Sequence, residues 1–203
     1  MNIFRLSDCP VTAAQMMCDK HVNKMVIEAA QMLSTAHRML DGTQVIRKSK
    51  SGKRMVKYYE HPDPTLEAEL YKAVHHNHPS SVWTRESSQN YLWHYRHFIA
   101  LCDEFEFRFT GKPHMSRTKL EFVLDKLPDN ICITSAETPF RLAMAAYPQC
   151  IVPNDPVQSY RNFYVADKLE FAKWEKGRPA PSWWTEAIEN NLKINDKKAT
   201  DLL

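Results

Sequence analysis

Two side chains on one helical stretch have the types and spacing for proton transfer. Within Asp19 to Leu40 (DKHVNKMVIEAAQMLSTAHRML), His21 and Glu28 stand seven residues apart, which places them on one edge of a helix, two turns from each other. A carboxylate at the border of a buried face is partly desolvated, which raises its pKa, while Lys24 and Arg38 on the neighbouring face pull it back down. Glu28 is therefore the candidate general acid/base, and His21 the imidazole that orients it or a sugar. The plain alternative is a Lys24–Glu28 pair at helical spacing, worth a few tenths of a kcal/mol, beside an ordinary boundary histidine.

A second group of polar side chains lies further along. The segment HHNHPSS sets three histidines just before a helix start at Ser80 or Ser81, where backbone N–H groups favour anions. The helix expected from about Ser81 to Phe109 carries an apolar stripe of Trp83, Tyr91, Phe98, Leu101, Cys102, Phe105 and Phe109. Ser87, Asn90 and His94 interrupt that stripe, and unpartnered they would cost about 1–3 kcal/mol each. They either form a structural network or, with His76, His78 and Trp83, line a pocket. Zinc would want histidines four apart, as in HExxH, or paired cysteines, and no glycine loop, GxSxG or CxxC occurs. No metal and no cofactor are expected.

The elements that must hold these residues are mostly helical. With 203 residues, 43 % of them hydrophobic, the chain suffices for one core and is short for two. Only 4 glycines accompany long periodic segments, which argues against a turn-rich sandwich or barrel. The expected fold is all-α, a single-domain irregular helical bundle over residues 1–185, with a polar C-terminal tail at 186–203. Helices are expected at about Val11–Met17, Asp19–Leu40, Ser81–Phe109, Arg117–Leu127 and Asp155–Lys176, with a possible turn over Phe140–Tyr147 and a short helix or strand-like return over Leu66–Val74. No run reaches the ~18 apolar residues of a membrane span, and the first ten residues lack a signal-peptide core. Five cysteines without close pairing read as reduced thiols, so a cytoplasmic location is expected, in the host if the chain is phage-encoded.

Between the helices, TQVIRKSKSGKRMVKYYE reads as a small β-hairpin with a basic tip. Arg47, Lys48, Lys50, Lys53, Arg54 and Lys57 fall in an acid-free stretch able to track phosphates, or simply to face water. One acid beside one histidine, a basic hairpin and aromatics that stack on bases together fit chemistry on a nucleotide extruded from DNA.

CDKHVNKMVIEAAQ resembles the stretch around the catalytic glutamate of the phage pyrimidine-dimer DNA glycosylases of the endonuclease V family, with Lys20, His21 and Glu28 at the matching positions. HHNHPSSVWTRESSQNYLWHYRHFIALCDEFEFRF and GRPAPSWW are similar to later blocks of the same group, uncharacterised phage members above all. The resemblance implies an all-helical fold and metal-free catalysis on damaged or modified pyrimidines in DNA. It also implies attack by an N-terminal α-amine on the sugar C1′ to give a Schiff base, assisted by the glutamate. The family carries a small residue after the initiator; Asn2 here should leave Met1 in place, so the amine is that of Met1, with Lys20 or Lys24 as substitutes. Arg5, Lys20, Lys24 and Arg38 would hold phosphates. The alternatives are a phage DNA base-modification transferase and a non-enzymatic module binding DNA or a host protein. The sequence leaves the oligomeric state open.

Overall fold

The computed structural model describes residues 1–49 and 51–190. The chain is mostly helical, with one two-stranded antiparallel hairpin. Its axis is α2 (Asp19–Leu40), whose inner stripe of Val22, Met25, Val26, Ala29, Leu33 and Ala36 is buried and supplies the centre of the core. α1 (Pro10–Gln15) precedes it, with Pro10 at the first position, where its missing N–H costs nothing.

After α2, β1 (Thr43–Lys48) and β2 (Met55–Glu60) pair in register from Thr43↔Glu60 to Lys48↔Met55. β1 is exposed along most of its length, while β2 is half-buried towards its end, where Arg38 and His76 meet Tyr59. At its base α3 (Pro64–Glu69) is capped by Asp63, which accepts from the N–H groups of Thr65 and Leu66.

The expected single helix from Ser81 to Phe109 is two helices, α4 (Pro79–Glu86) and α5 (Ser88–Phe105), the second continuing into a π-helical turn at Glu106–Thr110. Ser87 makes the break. It is extended, and its hydroxyl accepts from Asn90 N–H as the N-cap of α5. α6 (Met115–Leu124) follows, and residues 127–155 run as an irregular strap with one short 3₁₀ turn at Pro148–Cys150; the turn of helix expected over 140–147 does not form. α7 (Pro156–Lys168) stops eight residues short of the expected end, and residues 169–181 are non-helical. A last helix, 182–190, packs Trp184 and Ile188 on the core, so the expected tail boundary at 186 falls inside it. The rest of that tail lies outside the described residues. Among the described residues no helix is long and apolar enough to cross a membrane.

One buried ionic knot ties the ends of these elements together. Arg108, with no side-chain exposure, donates to Glu104 Oε2 at 2.8 Å, to Asp19 Oδ1 at 3.1 Å and to the carbonyls of Gln15 and Met17. Arg178 closes on the same Glu104 at 2.6 Å, and Asp19 also accepts from Glu175 N–H. Removing one partner of such a network leaves the others buried and unpaired. Arg108→Met should therefore destabilise the fold by about 3–5 kcal/mol in urea unfolding. A loss below about 1 kcal/mol would show that the knot contributes little.

Candidate active site

The amino terminus is pinned rather than frayed. Residues 3–6 are buried, crossing α2. The Met1 side chain packs against a small cluster of Ile3, Ala13, Met32, Trp83 and Trp93, and its sulfur accepts from Ser81 Oγ at 3.6 Å. Asn2 is held on three sides. Its Oδ1 accepts from Tyr160 Oη at 2.7 Å and from Ile3 N–H at 2.9 Å, while its Nδ2 donates to the Ala143 carbonyl. Chain ends usually stay loose unless something ties them down, so four separate elements holding this one is a specific arrangement.

What the arrangement does is deliver the α-amine to Glu28. The Met1 nitrogen lies 3.5 Å from Glu28 Oε2, and the same oxygen accepts Asn2 N–H at 3.1 Å. Glu28 Oε1 faces Lys24 Nζ at 3.4 Å. The Glu28 side chain keeps 13 % of its surface exposed. His78, at the N-cap of α4, completes the group. Its Nδ1 accepts Ser80 N–H, so a neutral ring carries its proton on Nε2. Burial holds its pKa below the ordinary histidine value, the Met1 ammonium and His75 lower it further, and Glu28 counteracts.

His21 does not join them. Seven residues along a helix is about 10.5 Å, so one shared edge does not bring two side chains into contact. The ring is buried, stacked on Phe4 at 4.5 Å between centroids, with Nδ1 2.6 Å from Tyr164 Oη. The proposed pocket of Trp83, Asn90 and His94 is likewise core. Trp83 Nε1 donates to the Thr138 carbonyl. Asn90 Nδ2 donates to Trp83 O and Thr138 Oγ1, and Asn90 Oδ1 accepts Thr138 N–H. His94 Nδ1 meets Thr84 Oγ1 at 2.7 Å. Each polar atom that interrupts the apolar stripe thus anchors the strap or α4 to α5, except His94 Nε2, which has no partner.

The cations divide in the same way. Arg38 is buried and spent on Glu67 and on the carbonyls of Tyr59, Tyr71, Glu67 and Leu70, so it holds α3 and the hairpin rather than a phosphate. Arg5 stacks on Trp93 and pairs with Glu137 at 2.6 Å, on the wall of a surface cavity of about 470 Å³ that it shares with Phe140 and Leu142. Neither Met1 nor Glu28 lines that cavity. Lys20 is exposed over the Phe171 ring. On the hairpin Lys48, Lys53, Arg54 and Lys57 are exposed, and Arg47 is tied to Glu60 and stacked on Tyr58. Lys50 lies outside the described residues. His76 packs on Tyr59 at the hairpin base. There a second cavity, about 310 Å³, is lined by Arg47, Tyr58, Tyr71, Lys72 and Lys119.

Sequence reasoning missed Asn2, Ser81 and Tyr160 as the groups that fix the terminus. Tyr160 is 158 residues from its partner, and no local pattern marks that contact. Compared with protein-family models, curated proteins and solved structures, the chain matches none.

Burial drives His21 to a pKa of about 3 and His97 to about 4, from an ordinary 6.5. Both rings therefore fold neutral, and the unfolded chain binds more protons than the native one between pH 4 and 6.5. Stability is whole above pH 6.5 and falls as pH drops through that window, by up to about 1.4 kcal/mol per unit for each ring. The urea midpoint should fall steeply from pH 6.5 to 4.5, and His21→Phe should flatten part of the slope. An unchanged midpoint across that range would mean the rings are protonated in the fold.

Proposed function

We propose that this chain is a DNA-base-processing enzyme, a glycosylase/AP-lyase acting on damaged or modified pyrimidines, with the α-amine as nucleophile and Glu28 as proton carrier. The observation that carries the reading is the amine held 3.5 Å from a half-buried carboxylate by contacts from α2, α4, α7 and the strap. An α-amine suits this task because its reference pKa, about 8, leaves a useful neutral fraction near pH 7. Asn2 N–H sits on the same oxygen at 3.1 Å, so a chain that had lost Met1 would still present an amine there.

The reaction balances with these groups and water. The neutral amine attacks C1′ of an extruded nucleotide and the glycosidic bond breaks, its electron pair leaving with the base, which takes a proton from water. The ammonium formed at C1′ passes a proton to the Glu28 carboxylate, and the Glu28 carboxyl returns it to the sugar O4′ as the ring opens to the protonated imine. The Glu28 carboxylate then removes a C2′ proton, the 3′ phosphate leaves by β-elimination, and water hydrolyses the imine to free the amine. In this reading His78 would hold the nucleotide and Lys24 would contact a flanking phosphate. The exposed hairpin cations would follow the DNA backbone. The resemblance of CDKHVNKMVIEAAQ to the pyrimidine-dimer glycosylases supports the same assignment of Glu28, and with it the all-α bundle of that group.

Incision of ultraviolet-irradiated duplex DNA tests this reading. Glu28→Gln should slow incision by about 10²- to 10⁴-fold with the circular dichroism spectrum unchanged, and a Gly-Ser extension ahead of Met1 should abolish it. Wild-type protein that leaves both irradiated and abasic DNA intact would remove the proposal. Separately, replacing Lys48, Lys53, Arg54 and Lys57 with serine should weaken DNA binding and lower the slope of log K against log salt by about 3 to 4. An unchanged slope would take the hairpin out of the interface.

A further inference from the structure

At the C-terminal end of α2, beyond the mid-helix Glu28, three ligand-type side chains converge with no role in the chemistry above. His37 and Asp41 stand one helical turn apart at the C-terminal end of α2, and His61 arrives from the residue after β2. Asp41 Oδ2 lies 4.0 Å from His37 Nδ1 and 3.8 Å from His61 Nε2, and the three ligand atoms all fall within 4.8 Å of one another. The side chains are 3 %, 6 % and 4 % exposed.

The hydrogen bonds around this group leave a surplus of acceptors. The Tyr91 hydroxyl spends its one proton on the Leu124 carbonyl, so at 2.8 Å it accepts from His37 Nε2–H. A neutral His37 therefore has a bare lone pair on Nδ1, and that lone pair faces a carboxylate. His61 Nε2 is buried with no hydrogen-bond partner at all. His61 Nδ1 accepts Asp63 N–H, so the neutral ring carries its proton on Nε2, which at 3.8 Å from Asp41 Oδ2 is too far to hydrogen-bond; the three ligand atoms are held close without bonding one another.

We propose that His37 Nδ1, Asp41 Oδ2 and His61 Nε2 bind one divalent transition-metal ion of the zinc type. Two imidazoles and one carboxylate are a donor set that zinc takes, with a fourth position left for water. On bonds of about 2.0–2.1 Å, tetrahedral ligand atoms are roughly 3.3 Å apart. Small side-chain rotations close the present separations to that value. His37 already has the outer partner that ligating histidines use, its other N–H donated to an oxygen. The second shell of Asp41 is also built, from the N–H groups of Asp129 and Asn130 and the Asn130 amide. At His61 the ion takes Nε2, the ring proton moves to Nδ1, and the Asp63 N–H contact to Nδ1 at 3.1 Å is given up.

The ion would clip the end of α2 to the foot of the hairpin, and through Asp41 it would also firm the start of the strap. It is a structural device, independent of the reaction assigned to the amino terminus. The test uses the whole chain, stripped with chelator and titrated with Zn²⁺, Co²⁺, Mn²⁺ and Fe²⁺ by calorimetry and thermal melting. One equivalent of Zn²⁺ or Co²⁺ should bind and raise the Tm, and His61→Asn should weaken that binding at least 100-fold. Because that variant could misfold, the wild-type crystal soaked in Zn²⁺ supplies a second reading, an anomalous peak within bonding distance of His37, Asp41 and His61. Uptake of less than one equivalent of every ion, unaltered binding in a folded His61→Asn, or a peak only at Cys9 or Cys132 would overturn the proposal.

Discussion

The organisation of this protein depends on one carboxylate oxygen. Glu28 Oε2 receives both the first amide of the chain and its terminal ammonium, and together with the contacts of Met1 and Asn2 it fixes where the buried residues 3–6 begin. A charge-assisted bond of this kind is stronger than a neutral one and worth more when half-buried. From it follow the burial of Phe4 against His21, the seating of Met1 on Trp83 and Trp93, and the contact from α7 through Tyr160. The same bond that orders the terminus sets an amine beside a carboxylate, the pair on which the proposed chemistry rests.

Much of this was legible along the chain. The long stripe of α2, the exposed basic hairpin and the position of Glu28 on the edge of a buried face follow from periodicity and turn chemistry, which are local. The break at Ser87 was also written in the sequence, as a serine three residues before an asparagine whose N–H it caps, but the apolar positions on either side of it outweighed it. What periodicity does not carry is depth. His21 and Glu28 share an edge, yet Phe4 and Tyr164, from distant segments, bury the first and leave the second open. Asn90 and His94 raised the right question, network or pocket, and Thr138 and Thr84 decide it in favour of a network. Arg38 reads as a phosphate ligand only until the four carbonyls around it are known.

The buried histidines show how one residue type serves different ends in one fold. His21, His94 and His97 are kept neutral by desolvation and act as shaped hydrogen-bonding blocks. His78 stays partly open at the start of α4, and burial with the nearby Met1 ammonium lowers its pKa. The search for metal ligands among neighbouring histidines passed over His37, because its helical partner four residues on is an aspartate and its third companion comes from across the hairpin.

Covalent capture on abasic DNA tests the central claim most directly. The protein is mixed with a duplex bearing one abasic site, reduced with borohydride and digested, and the site of the adduct is read by mass spectrometry of the peptides. Attachment at the α-amine of the first residue is the expected result. Attachment only at Lys20, Lys24 or another lysine, or no adduct while the protein still binds the duplex, would contradict the assignment of the amine held by Glu28 as the reacting group.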